Sequence, residues 1–570
     1  MKLLKYLLAL VVVFFAITSN SNAQGTARLV GGGSSALFNE LGSASQAIPG
    51  ISCIWTSGKT ANIVARDPRN GSGFDEQGNF WVAWGPGTGS CATPAGTFDV
   101  YSYEQLDSVV GDRCFFLVDS GGVSGCTQIF TVTAGTAGAN KVPGLTDTAI
   151  PSSVITAIQN LRYNWAGTDV RPEDAKFATV RAFAPCNALI PRQFFNQDSY
   201  FTFGLGYASL TPHVGVDIVE DPSIGTSVFH VLDFNIFGND PQTNQPVPAY
   251  STYSIGAQPI IVGVAPASDT AGIAGATDIN GFTLTLFFQG VLGRTTDMFG
   301  PTTTRAVDVY VREPLSGTYN TFEYSVPNGT QYHASQDFSN CNGSGTVNQN
   351  PMGTGASSGF NIGVPAISGV TPGRHRAIGT GDMTTAINAG TATNNRLGYF
   401  FWSAGNAASR PNIKYLKVNG IDPLQDTYTA NGILPGSGGV GDPGVGANIT
   451  FSGLKAGNYP IWSVLRLVGS PNNAFIGNML TALNTITGSQ HDFVPLSSLK
   501  VWHSHFFINS IGMTTAQAAT GNTIATANDL CTGTTAEGGG DAGGSVVTVA
   551  ANKDFCSDFN VPQGLLNKTQ

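Results

Sequence analysis

Arg312 closes the alternating stretch Val307-Asp308-Val309-Tyr310-Val311-Arg312 and is followed by Glu313-Pro314-Leu315-Ser316-Gly317-Thr318. The alternation predicts a strand, Pro314 ends it, and Ser316 opens a turn into a helix. A guanidinium presents a fork of hydrogen-bond donors. Ser316, Gly317 and Thr318 add hydroxyls and backbone N–H groups at the helix start, so the segment could hold an anion. A salt-bridged arginine ahead of a Ser-capped helix would use the same residues, and other segments must decide between the two.

Three further turns have the same shape. Ala27-Arg28-Leu29-Val30 reads as a strand that runs into Gly31-Gly32-Gly33-Ser34-Ser35, with a helical pattern from Ala36 onward. Strand, Gly/Ser turn and helix is the arrangement that aims N–H groups at an anion. Leu106-Asp107-Ser108-Val109-Val110-Gly111 follows a strand-like run at 98–103 and offers Ser108. Ser120, in Asp119-Ser120-Gly121-Gly122, competes with it, and Ser108 is preferred. In Trp165-Ala166-Gly167-Thr168-Asp169-Val170-Arg171-Pro172, Thr168 or Asp169 is placed to cap a helix starting near Pro172. His503 and His505 share one strand face and could pair on a metal, but no third ligand is evident and no metal is expected. No Gly-x-Ser-x-Gly, His-Glu-x-x-His or Walker loop occurs, so neither catalysis nor a cofactor is expected.

The Arg-x-x-x-Ser-Gly-Thr loop resembles the ligand loop of the phosphate-binding protein of bacterial phosphate ABC importers. That protein belongs to the type 2 periplasmic binding protein superfamily. The 165–175 segment is similar to the family's Ser-Asp-x-Pro stretch, and the order along the chain agrees. The resemblance implies an α/β fold of two lobes, here with strand- and loop-rich insertions, that closes on its ligand. Ser35, Ser108 and Asp169 would reach the cleft from lobe one, and Arg312, Ser316, Gly317 and Thr318 from lobe two. In the family the aspartate accepts a proton from the ligand, which makes Asp169 the acceptor and inorganic phosphate or a related oxyanion the partner. Sulfate has no proton to give near neutral pH and would meet only repulsion. Ala36 stands where the family has an aromatic residue, a local departure. An ABC permease is the implied protein partner and a monomer is expected. The alternative is a secreted or surface structural protein that keeps the fold without its ligand.

The elements that must position these residues read as follows. Residues 253–264 resemble the strand by which such proteins cross to their second lobe, and 282–290 a helix ended by Gly290. Residues 80–84, 98–103 and 114–118 read as short strands, and 397–402 as a return strand. The expected division is lobe one over 24–257 with insertions near 51–97 and 182–250, and lobe two over 258–396. A return to lobe one over 397–512 and a Gly/Thr-rich tail over 513–570 complete it.

Lys2 and Lys5, an apolar run at 7–17 and Ser21-Asn22-Ala23 read as a cleaved secretory signal over 1–23, so a periplasmic or secreted location is expected. Removing it leaves 25 basic against 36 acidic residues, a net charge of −11, which argues against nucleic acid as a partner. The 72 glycines and 11% charged residues fit a strand- and loop-rich exported chain, and 41% hydrophobic residues rule out disorder. Eight cysteines favour disulfides. Proximity suggests Cys53–Cys91, Cys114–Cys126 and Cys531–Cys556, leaving Cys186 with Cys341.

Overall fold

The computed structural model describes residues 23–69, 75–170, 239–328 and 365–495, apart from short breaks, with a few isolated residues elsewhere. One strand organises it. Ser251–Ala265 is buried along its whole length, as a strand covered on both faces must be. Its first part pairs antiparallel with Trp462–Gly469, and its last part, from Ile260, pairs antiparallel with Asn394–Phe401. The chain therefore carries two sheets that share a single strand, which divides the molecule into two lobes.

In the first sheet Gln24–Gly33 lies parallel to both Thr97–Gln105 and Trp165–Thr168. Phe80–Trp84 and Cys53–Ser57 extend that sheet antiparallel at its edge. In the second, Ala306–Arg312 lies parallel to both Arg374–Ala377 and Asn394–Phe401. Lys414–Val418 adds to the crossing strand in that second half, and the chain re-enters the first sheet with Trp462–Gly469. The architecture is mixed α/β, as expected.

In parallel sheets, ligand-binding loops gather at the carboxyl ends of the strands. Five such ends matter here. Gly33 leads to Ser35, Gln105 to Ser108, Thr168 to Asp169, Arg312 to Ser316, and Ala377 to Thr380.

The packing beneath these ends is aromatic. Tyr103 stacks on Trp81 at 6.1 Å and tilts against Trp165 at 5.4 Å. Its hydroxyl donates to the Ser34 carbonyl at 2.8 Å, which ties the first turn to the core. In lobe two Phe322 lies flat on Tyr399, with centroids 3.9 Å apart. The disulfides Cys53–Cys91 and Cys114–Cys126 are formed as expected. The other two expected pairs, His503 and His505, and most of the 182–250 segment lie outside the described residues.

Two local expectations are corrected. The run at 114–118 forms no strand, because residues 114–116 complete the helix Ser108–Phe116. Every residue of that helix is buried, so its apolar pattern carries no face, and a short apolar run cannot be assigned by periodicity. Gly31-Gly32-Gly33 is also strand and not turn, pairing with Tyr103, Glu104 and Gln105. The turn begins only at Ser34.

Glycine is needed where the helix Ser108–Phe116 crosses the end of the first strand. A Cβ on Gly111 would stand 2.5 Å from the Gly33 Cα and 2.8 Å from the Gly32 carbonyl oxygen, both backbone atoms with no room to yield. Gly111→Ala should push the helix off the sheet. The expected cost is about 1–3 kcal/mol, seen as a lower Tm with the fold retained.

Candidate functional site

Ser108 is the first residue of its helix and is buried, and its hydroxyl donates to Asp169 Oδ1. Ser120, the competing serine, is exposed on a turn. Asp169 follows the strand Trp165–Thr168, and Ser463 Oγ and Arg466 Nη1 (3.3 Å) donate to its backbone carbonyl. The capping alternative for this segment falls to Thr168. Its hydroxyl accepts from Val170 N at 3.2 Å and donates to the Val170 carbonyl at 2.6 Å, leaving the Asp169 carboxylate to face Ser108. Asp169 Oδ2 is buried and makes no hydrogen bond. Burial pushes the carboxyl up to about 6, against the pull of the Ser108 hydrogen bond and the Arg312 and Arg466 charges.

Arg312 is fully buried, and all its N–H groups are used. Nε and Nη2 fork onto Glu313 at 2.8 and 2.5 Å. Nη2 also donates to Asp107 Oδ1 at 3.1 Å, and Nη1 donates to Thr380 Oγ1 at 3.1 Å and Thr318 Oγ1 at 3.3 Å. Burial alone would disfavour the guanidinium charge, but Glu313 and Asp107 outweigh it and keep the group protonated. Burial likewise works to raise Glu313, and the Arg312 charge overcomes it and holds the carboxyl at about 2.

Ser316 Oγ accepts from Tyr319 N at 3.4 Å, so it caps the helix Gly317–Glu323 as the sequence suggested. Gly317 packs against the Ser108 and Asp169 turns of the other lobe. A Cβ there would lie 1.7 Å from Asp169 Oδ1 and 2.4 Å from Ser108 Oγ. Ser35 is half-buried, and its hydroxyl lies 2.9 Å from that of Thr380. Val109 N donates to the Leu315 carbonyl at 3.3 Å, another bond from lobe one to lobe two.

The structure thus brings together Ser35, Ser108, Asp169, Arg312, Gly317 and Thr318, with Ser316 holding the loop. Sequence reasoning missed Asp107, Glu313 and Thr380. Thr380 could have been found, since Gly379-Thr380-Gly381 repeats the strand–glycine–hydroxyl pattern of the first turn. Glu313 and Asp107 could not, because their roles depend on which strand ends face each other. Among the described residues no group of three or more His, Cys, Asp or Glu side chains is arranged to hold a metal. No helix there is long and apolar enough to cross a membrane.

No protein-family description and no curated protein matches the chain. Solved structures of phosphate-binding proteins do. An ABC-type phosphate transport receptor from Vibrio cholerae matches at 12% identity and a TM-score of 0.25, over 43% of this chain and 72% of that one. A phosphate-binding protein from Stenotrophomonas maltophilia matches at 14% identity and 0.29, over 72% and 86%. An ancestral soluble variant of the Human Phosphate Binding Protein matches at 11% and 0.33, over 83% and 90%. The two-lobed fold rests on the shared strand and the strand order described above.

The Asp169 shift has a sign that can be measured. At low pH the carboxyl is protonated in both folded and unfolded chains. As pH rises past its ordinary range the unfolded chain ionises first while the folded one keeps its proton. Stability therefore falls between about pH 4 and 6 and levels off above, by roughly 3 kcal/mol from this residue. Asp492, which burial also pushes up to about 6, adds a loss of the same sign. Asp169→Asn should be more stable than wild type at pH 7 in the absence of ligand, with the difference vanishing near pH 4. Thermal unfolding across that range checks it.

Proposed function

We propose that the protein is an exported solute-binding protein that captures phosphate, or a similarly protonated oxyanion, between its two lobes. The observation that carries this reading is the pairing of chemistries in the cleft. A buried carboxylate with one oxygen unpartnered belongs to lobe one, and a buried arginine whose Nη1 meets two threonine hydroxyls to lobe two. Arginine favours an anion, and the Asp169 carboxylate favours one that still carries a proton. Sulfate lacks that proton and would leave the carboxylate facing an oxygen lone pair. The basic, apolar and small-residue order of the first 23 residues supports export, and the two disulfides suit an oxidising compartment. Delivery to an ABC permease is part of the proposal, as are a monomeric state and the absence of catalysis.

A second reading has one observation in its favour. Every Arg312 donor is already used within the protein, and Asp107 and Arg312 join the lobes without any ligand. A secreted interaction protein that keeps the fold but binds no anion would look the same.

Calorimetric titration of the mature protein with phosphate and then sulfate at neutral pH separates them. We expect phosphate to bind and sulfate to be silent. Asp169→Ala and Arg312→Ala should each weaken phosphate more than about 30-fold, as expected when one member of a buried charged set is removed. Silence toward both anions in the folded wild type would sink the phosphate reading and favour the second.

A further inference from the structure

Resting on the phosphate reading, we propose that Thr380 is a further positioning residue of the anion site, one that aims the Ser35 hydroxyl at the ligand. Thr380 follows the strand Arg374–Ala377, whose last residue pairs with Arg312. It stands in the first turn of the helix Gly379–Asn388. Gly379 N donates to both Glu313 carboxylate oxygens at 3.2 Å, which fixes the turn beside the Arg312–Glu313 fork. The Thr380 side chain is buried, and its hydroxyl has two partners. Arg312 Nη1 donates to it at 3.1 Å, and Ser35 Oγ lies 2.9 Å away.

The direction of the Ser35–Thr380 bond follows from these partners. A guanidinium only donates, so the contact with Arg312 uses a Thr380 lone pair and leaves the Thr380 proton to be placed. Among the described residues, Ser35 Oγ is the acceptor within reach of that proton. A buried O–H without an acceptor is costly, so Thr380 donates to Ser35. Ser35 is half-buried, and accepting from Thr380 leaves its own proton for a ligand. The result is a chain from Arg312 through Thr380 to Ser35, headed by a full positive charge. Each bond in such a chain polarises the next, so Ser35 becomes a stronger donor to an anion than a lone serine. Ser35 belongs to lobe one and Thr380 to lobe two, so the chain is complete only when the lobes meet. An anion that takes the Nη1 hydrogen now on Thr318, the longer bond at 3.3 Å, leaves the chain intact.

Titration of the mature full-length protein with inorganic phosphate at neutral pH tests this in wild type, Thr380→Val, Ser35→Ala and the double variant. Valine keeps the shape of threonine and removes its hydroxyl. Thr380→Val and Ser35→Ala should each weaken phosphate by about 10- to 30-fold, as the loss of one hydrogen bond to a charged group would. Both break the same chain, so the double variant should bind within about threefold of the weaker single one. Thr380→Ser, which restores the hydroxyl, should recover most of the affinity lost in Thr380→Val. Should valine not fold, Thr380→Ala takes its place in the cycle. A role in packing alone would instead give losses that multiply in the double variant. That result, or a Thr380→Val affinity equal to wild type, would overturn the inference and leave the phosphate reading standing. No binding by folded wild type would overturn the phosphate reading and this inference together.

Discussion

A guanidinium in a protein interior cannot shed its charge, and it cannot be left there alone. That constraint fixes much of this molecule around Arg312. Its donors reach the next residue in the chain, two threonines of its own lobe and an aspartate of the other lobe. To bring these partners within reach, the strand Ala306–Arg312 must end beside the helix that follows Thr97–Gln105. The parallel strands of each lobe must then point their carboxyl ends into a common cleft. The shared strand Ser251–Ala265 makes this possible, since it belongs to both sheets and sets how they face each other.

Lobe contact depends on small residues as much as on charge. Gly317 admits the Asp169 carboxylate and the Ser108 hydroxyl to within a distance that any side chain would forbid. Gly111 does the same for the helix that carries Ser108, which it lets approach the end of the first strand. Acidic side chains are buried where the lobes meet. Burial works to raise both Glu313 and Asp169, yet their fates are opposite: Glu313 is held ionised by the arginine it pairs with, while Asp169 is pushed toward its neutral form.

How much of this could be read from residues alone followed the range of each interaction. The Arg312–Thr318 loop, the Ser108 turn and the Asp169 turn are local patterns of strand, breaker and hydroxyl, and each fell where its pattern placed it. The two described disulfides were legible for the same reason, since their cysteines lie 38 and 12 residues apart. The helix Ser108–Phe116 was half misread because burial on all sides erases the periodicity that marks a helix. Asp107 and Glu313 left no local mark, for neither spacing nor composition says which loops of two lobes will meet.

A crystal structure of the mature protein grown with phosphate tests the central claim most directly. The account predicts one phosphate between the lobes, with Arg312 Nη1, Thr318 and Ser35 donating to it and Asp169 Oδ2 within hydrogen-bond distance of one of its oxygens. A closed cleft in which Arg312 keeps every internal partner, with phosphate absent or bound elsewhere, would contradict it.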